Sequence, residues 1–136
     1  QKSEGRSLSV AKEVVEMEIA GLRDLVNSFD ETFSKVIEKI HNAKGRIILS
    51  GMGKSGHVAR KAAATFASTG SPAFFIHPAE AVHCDLGMIR KKDIVILLSN
   101  SGETSELNVI INYCQRFGIP IIGICRKLNS MLGNIS

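Results

Sequence analysis

Three short stretches concentrate the residues that can do chemistry. The first is Gly51-Met52-Gly53-Lys54-Ser55-Gly56. Glycines let backbone amides approach an anion, a helix starting here would attract it, and Lys54 adds a full positive charge. The second is Ser99-Asn100-Ser101-Gly102-Glu103-Thr104. Hydroxyls and exposed amides at a helix start suit a phosphate monoester. Glu103 would favour the helix dipole but oppose the phosphate. The third runs from His77 to Asp85 and holds His77, Glu80, His83, Cys84 and Asp85. An imidazole can move protons at neutral pH, so general acid or base work by one of these histidines is the reading preferred over a metal site. The stretch lacks helical His-x-x-x-His spacing and paired Cys spacing.

Each stretch has competing readings. The first turn formally satisfies the G-x-G-x-x-G dinucleotide fingerprint. A dinucleotide site also wants an acidic residue near the end of the next strand, and residues 57–79 contain no Asp or Glu. Gly-Lys-Ser resembles part of a phosphate-binding P-loop, but Ile48 stands where its first glycine belongs. Glycines needed for backbone reasons alone are the plain alternative. In the second turn, ordinary N-capping by Ser101 or Thr104 is the plain alternative. His77 ends a strand just before Pro78 and reads as a satisfied structural histidine, whereas Glu80 and Asp85 offer acceptors that would fix the tautomer of His83.

These stretches need elements to hold them. Residues from about Leu8 to Phe29 predict a helix, with Val15, Ile19, Leu22 and Val26 as an apolar stripe. Asp30 looks like the N-cap of a second helix whose buried side is Phe33, Val36, Ile37 and Ile40. The period then changes. Arg46 to Ser50, Ala73 to His77, Asp93 to Leu98 and Ile119 to Cys125 read as strands, and the first lacks polar alternation, as expected of a strand buried on both faces. Lys54 to Ser68 and Glu103 to Phe117 read as the helices between them, the latter ending at a Gly118 C-cap. Pro78 to Met88 is a segment of mixed polarity. The alternation implies right-handed crossovers and a parallel sheet covered on both faces, a three-layer α/β/α sandwich with ligands beyond the carboxyl ends of the strands. Both glycine-containing turns belong at that edge.

Composition narrows the classes. The 136 residues fit one domain, with 44% apolar and 22% charged residues, so a real core is expected. There is no Trp and little aromatic content, which disfavours a nucleic-acid stacking platform. The net charge of +4 is modest and spread along the chain, mildly favouring an anionic small ligand and giving little support to nucleic acid or membrane, neither of which is expected as a partner. Cys84, Cys114 and Cys125 are odd in number and match no metal pattern, and no apolar run reaches transmembrane length. A cytoplasmic protein with reduced thiols is the expectation.

Taken together, Gly51-Met-Gly-Lys-Ser-Gly-His57, Ala67-Ser-Thr-Gly70, Phe75-Ile-His-Pro-Ala-Glu-Ala81, His83, Asp85-Leu-Gly-Met88 and Ser99-Asn-Ser-Gly-Glu103 closely resemble the arabinose-5-phosphate isomerases, from about Gly45 to Cys125. These enzymes are built on the SIS (sugar isomerase) domain, a Rossmann-like fold that also serves phosphosugar-binding regulators. The resemblance implies interconversion of D-ribulose 5-phosphate and D-arabinose 5-phosphate on the way to Kdo in lipopolysaccharide. It implies a five-stranded parallel sheet, usually in a tetramer, with residues 1–44 as N-terminal helices of the domain and 45–136 as its core. It implies Lys54, His83 and Glu106 in the active site. Ser50, Ser55, Ser99, Ser101 and Thr104 match the phosphate and substrate loops, with Gly51, Gly53, Asn100 and Gly102 completing those turns. Family members commonly have glycine at Cys84. They continue past the position of Ser136 into a fifth strand and a helix that bring another acidic residue and a histidine, and many then add CBS modules.

Aldose–ketose isomerisation moves one proton between two carbons and another between two oxygens through a cis-enediol, so no redox cofactor is needed. Remote phosphate binding can fix the reacting carbons. The expected partners are therefore a pentose 5-phosphate and further copies of the chain, since the apolar stripe of the first helix is free to pack on another subunit. Two other readings compete: a phosphosugar sensor using the same loops without turnover, and a dinucleotide-binding domain.

Overall fold

In the computed structural model, which describes residues 2–83 and 85–136 with the side chains of Lys2 and Asp85 outside the description, the two central strands are buried at every position. These are β1 (Ile47–Gly51) and β3 (Ile94–Ser99). Unbroken apolar runs form where both faces of a parallel sheet are covered, as the sequence predicts. The chain divides into two units, Gln1–Ile37 and Glu38–Ser136.

In the larger unit, helix α3 (Gly53–Ser68) follows β1 and leads to β2 (Ala73–Phe75). Helix α4 (Pro78–His83) and a 3-10 turn (Asp85–Met88) then lead to β3. A second 3-10 turn (Ser105–Leu107) runs into α5 (Asn108–Phe117), followed by β4 (Ile121–Cys125). The last helix, α6 in the whole chain (Met131–Ile135), was not expected from sequence. Gly118 ends α5 with a left-handed φ of 65°, the C-cap that its position after Phe117 predicts. The mixed segment after Pro78 is helical over Pro78–His83 and Asp85–Met88, and β2 stops two residues short of His77.

All four strands are parallel, in the order β2-β1-β3-β4. Ile47 pairs with Ile94 and Gly51 with Leu98, so β1 and β3 end side by side. One face of the sheet, with Ile48, Val95 and Leu97, joins Ile76, Ala81, Leu107, Ile110, Ile111, Cys114 and Leu132 in one core. Strand alternation sends Ile47, Leu49 and Ile96 to the opposite face, where α3 lies against β1 and β2 and buries Ala59 and Ala63. The three layers and the parallel sheet are as predicted.

At the opposite edge of the sheet, Asp93 is fully enclosed. Its carboxylate accepts from the N–H of Arg46 (2.8 Å) and of Arg90 (2.7 Å) and pairs with the Arg46 guanidinium at 3.2 Å. The same guanidinium reaches the carbonyl of Met88 and lies 4.8 Å from the centre of the Phe74 ring. Burial alone would raise the Asp93 carboxyl, but those amides and the Arg46 charge outweigh it and hold the pKa below the ordinary value.

The smaller unit holds α1 (Lys2–Ser28) and the start of α2 (Glu31–His41). Asp30 caps α2 as predicted, accepting from Thr32 at 2.9 Å and Phe33 at 3.4 Å. Helix α1 begins about a turn and a half before the expected start, because the polar residues around Gly5 carry no periodic signal. The expected burial of Phe33, Val36, Ile37 and Ile40 is not found: Phe33 and Ile37 are about half exposed, and no residue of α2 is buried. Val15, Leu22 and Val26 of the α1 stripe are also exposed, with Ile19 half-buried. Periodicity marks a face that can be buried. It does not say what buries it.

Candidate functional site

Because β1 and β3 are neighbours that connect outward in opposite directions, the crevice at their carboxyl ends is a switch point of the sheet. Both polar turns lie there. They line a cavity of about 310 Å³ that brings Lys54 and Ser55 from the start of α3 together with Ser99 and Asn100 from the end of β3. Among the described residues its lining carries two cations, Lys54 and Arg126, and no carboxylate. A cavity of this size with that charge suits a small anion-bearing ligand. Val58, Leu98 and Ile124 form an apolar wall.

The first turn has backbone reasons for its glycines. A Cβ on Gly56 would come within 2.6 Å of the Gly51 carbonyl, so the helix could not start this close to β1, and Gly53 takes a φ of 55°. Lys54 has no such reason. It is exposed, no acidic residue shares its first helical turn, and a cation there opposes the helix dipole. Ser50 is fully buried and its hydroxyl donates to the Ile76 carbonyl at 2.5 Å, tying β1 to the end of β2 rather than lining the cavity.

The second turn is built around hydroxyls. Ser99 Oγ lies 2.6 Å from Thr104 Oγ1 and accepts from the N–H of Gly102 at 3.0 Å. Ser101 Oγ accepts from the Glu103 N–H at 3.1 Å. Thr104 occupies the N-cap of the following 3-10 turn but its side chain makes no cap bond, so plain capping does not account for it. The helical segment starts at Ser105, two residues later than predicted, and its first amides have no partner within the helix. Glu103, the expected opponent of a phosphate, turns to the segment after β4: its Oε1 accepts from the Met131 N–H at 2.9 Å.

The third stretch stands apart from this cavity. His77 Nδ1 accepts from the Ala79 N–H at 3.1 Å, which caps α4 and gives His77 the structural role expected of it. His83 ends α4 and is exposed. Glu80 makes no hydrogen bond to it among the described residues, while Cys84 and the Asp85 side chain lie outside them. Glu106 is exposed in the 3-10 turn, with Ser105 Oγ 3.4 Å from its carboxylate. Helix α4 packs against that turn and against α5, so the elements carrying His83 and Glu106 are neighbours. Among the described residues, no three His, Cys, Asp or Glu side chains gather as a metal set.

Sequence reasoning missed Cys125 and Arg126, which line the cavity from the end of β4. The signal was present: both follow a parallel strand at its carboxyl end, where such folds place ligands.

Known proteins agree with this picture. The family model for the SIS domain matches residues 39–136. An uncharacterized protein of Rickettsia prowazekii is 50% identical over 93% of the chain and 40% of its own length. The arabinose 5-phosphate isomerase KdsD of Francisella tularensis is 49% identical over 93% of the chain and 39% of its own length. The chain thus spans about two fifths of the curated relatives it matches. A protein of Escherichia coli CFT073, solved in complex with arabinose 5-phosphate, superposes with a TM-score of 0.88 at 40% identity, over 94% of this chain and 68% of that one. The NanR protein of Vibrio vulnificus, complexed with ManNAc-6P, has a TM-score of 0.83 over 93% of this chain and 48% of its own, at 20% identity, a likeness of fold alone. No helix among the described residues is long and apolar enough to cross a membrane. With the four-stranded parallel sheet, its two hydroxyl- and glycine-lined turns and a family match over most of its length, the chain belongs to the SIS domain family.

Proposed function

We propose that this chain is the SIS domain of an aldose–ketose isomerase that interconverts D-ribulose 5-phosphate and D-arabinose 5-phosphate. The observation that carries this reading is the cavity in which Lys54 and Ser55 meet Ser99 and Asn100, with no carboxylate in its lining among the described residues. Near 50% identity to a KdsD isomerase supports the choice of substrate.

In this reading the sugar phosphate binds at the second turn, on hydroxyls of Ser99, Ser101 and Thr104 and the amides that open the 3-10 turn. Lys54 stabilises negative charge on the phosphate or on the substrate oxygen as the enediol forms. His83 exchanges protons with the substrate oxygens, and Glu106 carries or orients the carbon-bound proton. Phosphate binding holds the carbons in place while the protons move. The exposed apolar faces of α1 and α2 would be covered by further copies of the chain, in a tetramer. Kdo synthesis and a cytoplasmic location complete the proposal.

The test is to incubate the full-length protein with ribulose 5-phosphate and follow arabinose 5-phosphate by proton NMR. Appearance of the aldose supports the isomerase. Binding of the phosphosugar without interconversion would make the domain a sensor. Sedimentation equilibrium tests the assembly, and a monomer at micromolar concentration would refute it.

A further inference from the structure

The turn proposed to hold the phosphate does not stand alone. The segment after β4 is bonded to it at three points. The Arg126 N–H donates to the Asn100 carbonyl at 3.1 Å, the Leu132 N–H to the Gly102 carbonyl at 3.0 Å, and the Met131 N–H to the Glu103 carboxylate at 2.9 Å. Beneath it sits Ser130, 2% exposed, whose Oγ accepts from the Gly133 N–H at 3.1 Å and donates to the Lys127 carbonyl at 2.7 Å. Gly102 rests on this side chain so closely that a Cβ there would fall 2.1 Å from Ser130 Oγ, and its φ is 73°. Two of the three ties are backbone to backbone. The third depends on one side chain.

A carboxylate beside a phosphate turn costs binding energy if its charge faces the ligand. In this chain the carboxylate is engaged by the amide that opens α6, a group with no partner inside that helix. A charged acceptor on such an amide makes a stronger bond than a neutral one. We propose that Glu103 is a positioning residue, its carboxylate latching the phosphate-binding turn to the segment after β4 so that the turn is held open for its ligand. The proposal rests on the reading that turn 99–104 binds phosphate. It reverses the electrostatic expectation: truncating this acidic side chain weakens anion binding instead of strengthening it.

The test uses the full-length protein, with ribulose 5-phosphate kinetics and calorimetric titration of inorganic phosphate. Glu103→Ala should raise KM and the phosphate Kd about tenfold, with kcat within about twofold, because the phosphate is held equally in ground and transition states. Glu103→Gln keeps an acceptor and should restore most of the affinity. Met131→Pro removes the donor while leaving the Glu103 charge in place. Proline is tolerated at a first helical position, and Ser130 before it is already extended (φ −125°, ψ 169°). It should weaken phosphate binding at least as much as Glu103→Ala, because the released charge stays beside the turn, and the double variant should lose no more than the weaker-binding single one. Unchanged or tighter phosphate binding by Glu103→Ala would overturn the latch, as would additive losses in the double variant. Phosphate titration separates this from the wider proposal: a protein that binds phosphate through the latch yet never isomerises the sugar refutes the isomerase and leaves the latch standing.

Discussion

The hydroxyls of Ser99 and Thr104 meet at 2.6 Å, closing the turn after β3 from one end to the other. The same Ser99 oxygen takes the Gly102 amide. One hydroxyl therefore organises two sides of the turn. Ser99→Ala should weaken inorganic phosphate binding about tenfold, and Thr104→Val by a similar factor. Their effects should be strongly non-additive, since each removes the same contact. Calorimetric titration of the single and double variants measures this. Independent losses would mean that the two hydroxyls act separately.

Lys54→Ala should lower turnover by at least about a hundredfold, the scale of losing a preorganised electrostatic contact. The fold should persist, because Lys54 is exposed and sits at the unfavourable end of the α3 dipole. Circular dichroism melting and isomerase kinetics on the same preparation check both halves. Near wild-type turnover would remove Lys54 from the mechanism.

His83→Ala and His77→Ala should separate chemistry from structure. For His83→Ala, kcat should fall by about two orders of magnitude with little change in phosphosugar affinity. His77→Ala should instead lower the melting temperature, because it takes away the acceptor for the Ala79 amide at the start of α4. If His83→Ala lost affinity alone, the histidine would be a positioning group.

Asp93 predicts a pH dependence of stability. Its folded pKa is lowered, so the unfolded state binds the proton more readily as pH falls. The stabilisation is complete above the unfolded carboxyl value, about pH 4, and is lost as pH drops through the lower folded value. Asp93→Asn should cost about 2 kcal/mol at neutral pH, through weakened bonds to Arg46 and Arg90. The gap from wild type should shrink below about pH 4. Urea unfolding of both proteins across pH measures it. A gap that stays constant in acid would show that the loss is not the carboxylate's charge.

Cysteine labelling should be site-selective. Burial pushes the Cys114 thiol up to about 11, so little thiolate forms at pH 8, and the side chain is 0% exposed. Cys125 is half-buried and lines the cavity. Iodoacetamide followed by peptide mass spectrometry should modify Cys125 in the native protein and Cys114 only after unfolding. Inorganic phosphate should slow the Cys125 reaction. Equal rates at both thiols would contradict the packing of α5 on the sheet.

Local chemistry made much of this protein legible in its sequence. Unbroken apolar runs marked β1 and β3 because strands covered on both faces leave no polar side to alternate with. Asp30 and Gly118 announced helix ends because capping needs a side-chain acceptor or a left-handed φ at one position. The two chemistry-bearing turns were visible through their glycines and hydroxyls. What no local pattern carries is which strands lie side by side. Only the tertiary structure put β1 next to β3 and so made one cavity from turns that are nearly fifty residues apart. It alone spent the Ser50 hydroxyl on Ile76 and turned the Glu103 carboxylate towards Met131. Each of these depends on where a distant backbone carbonyl or amide happens to fall. That is a property of the packed chain, and one that residue types and their spacing do not encode.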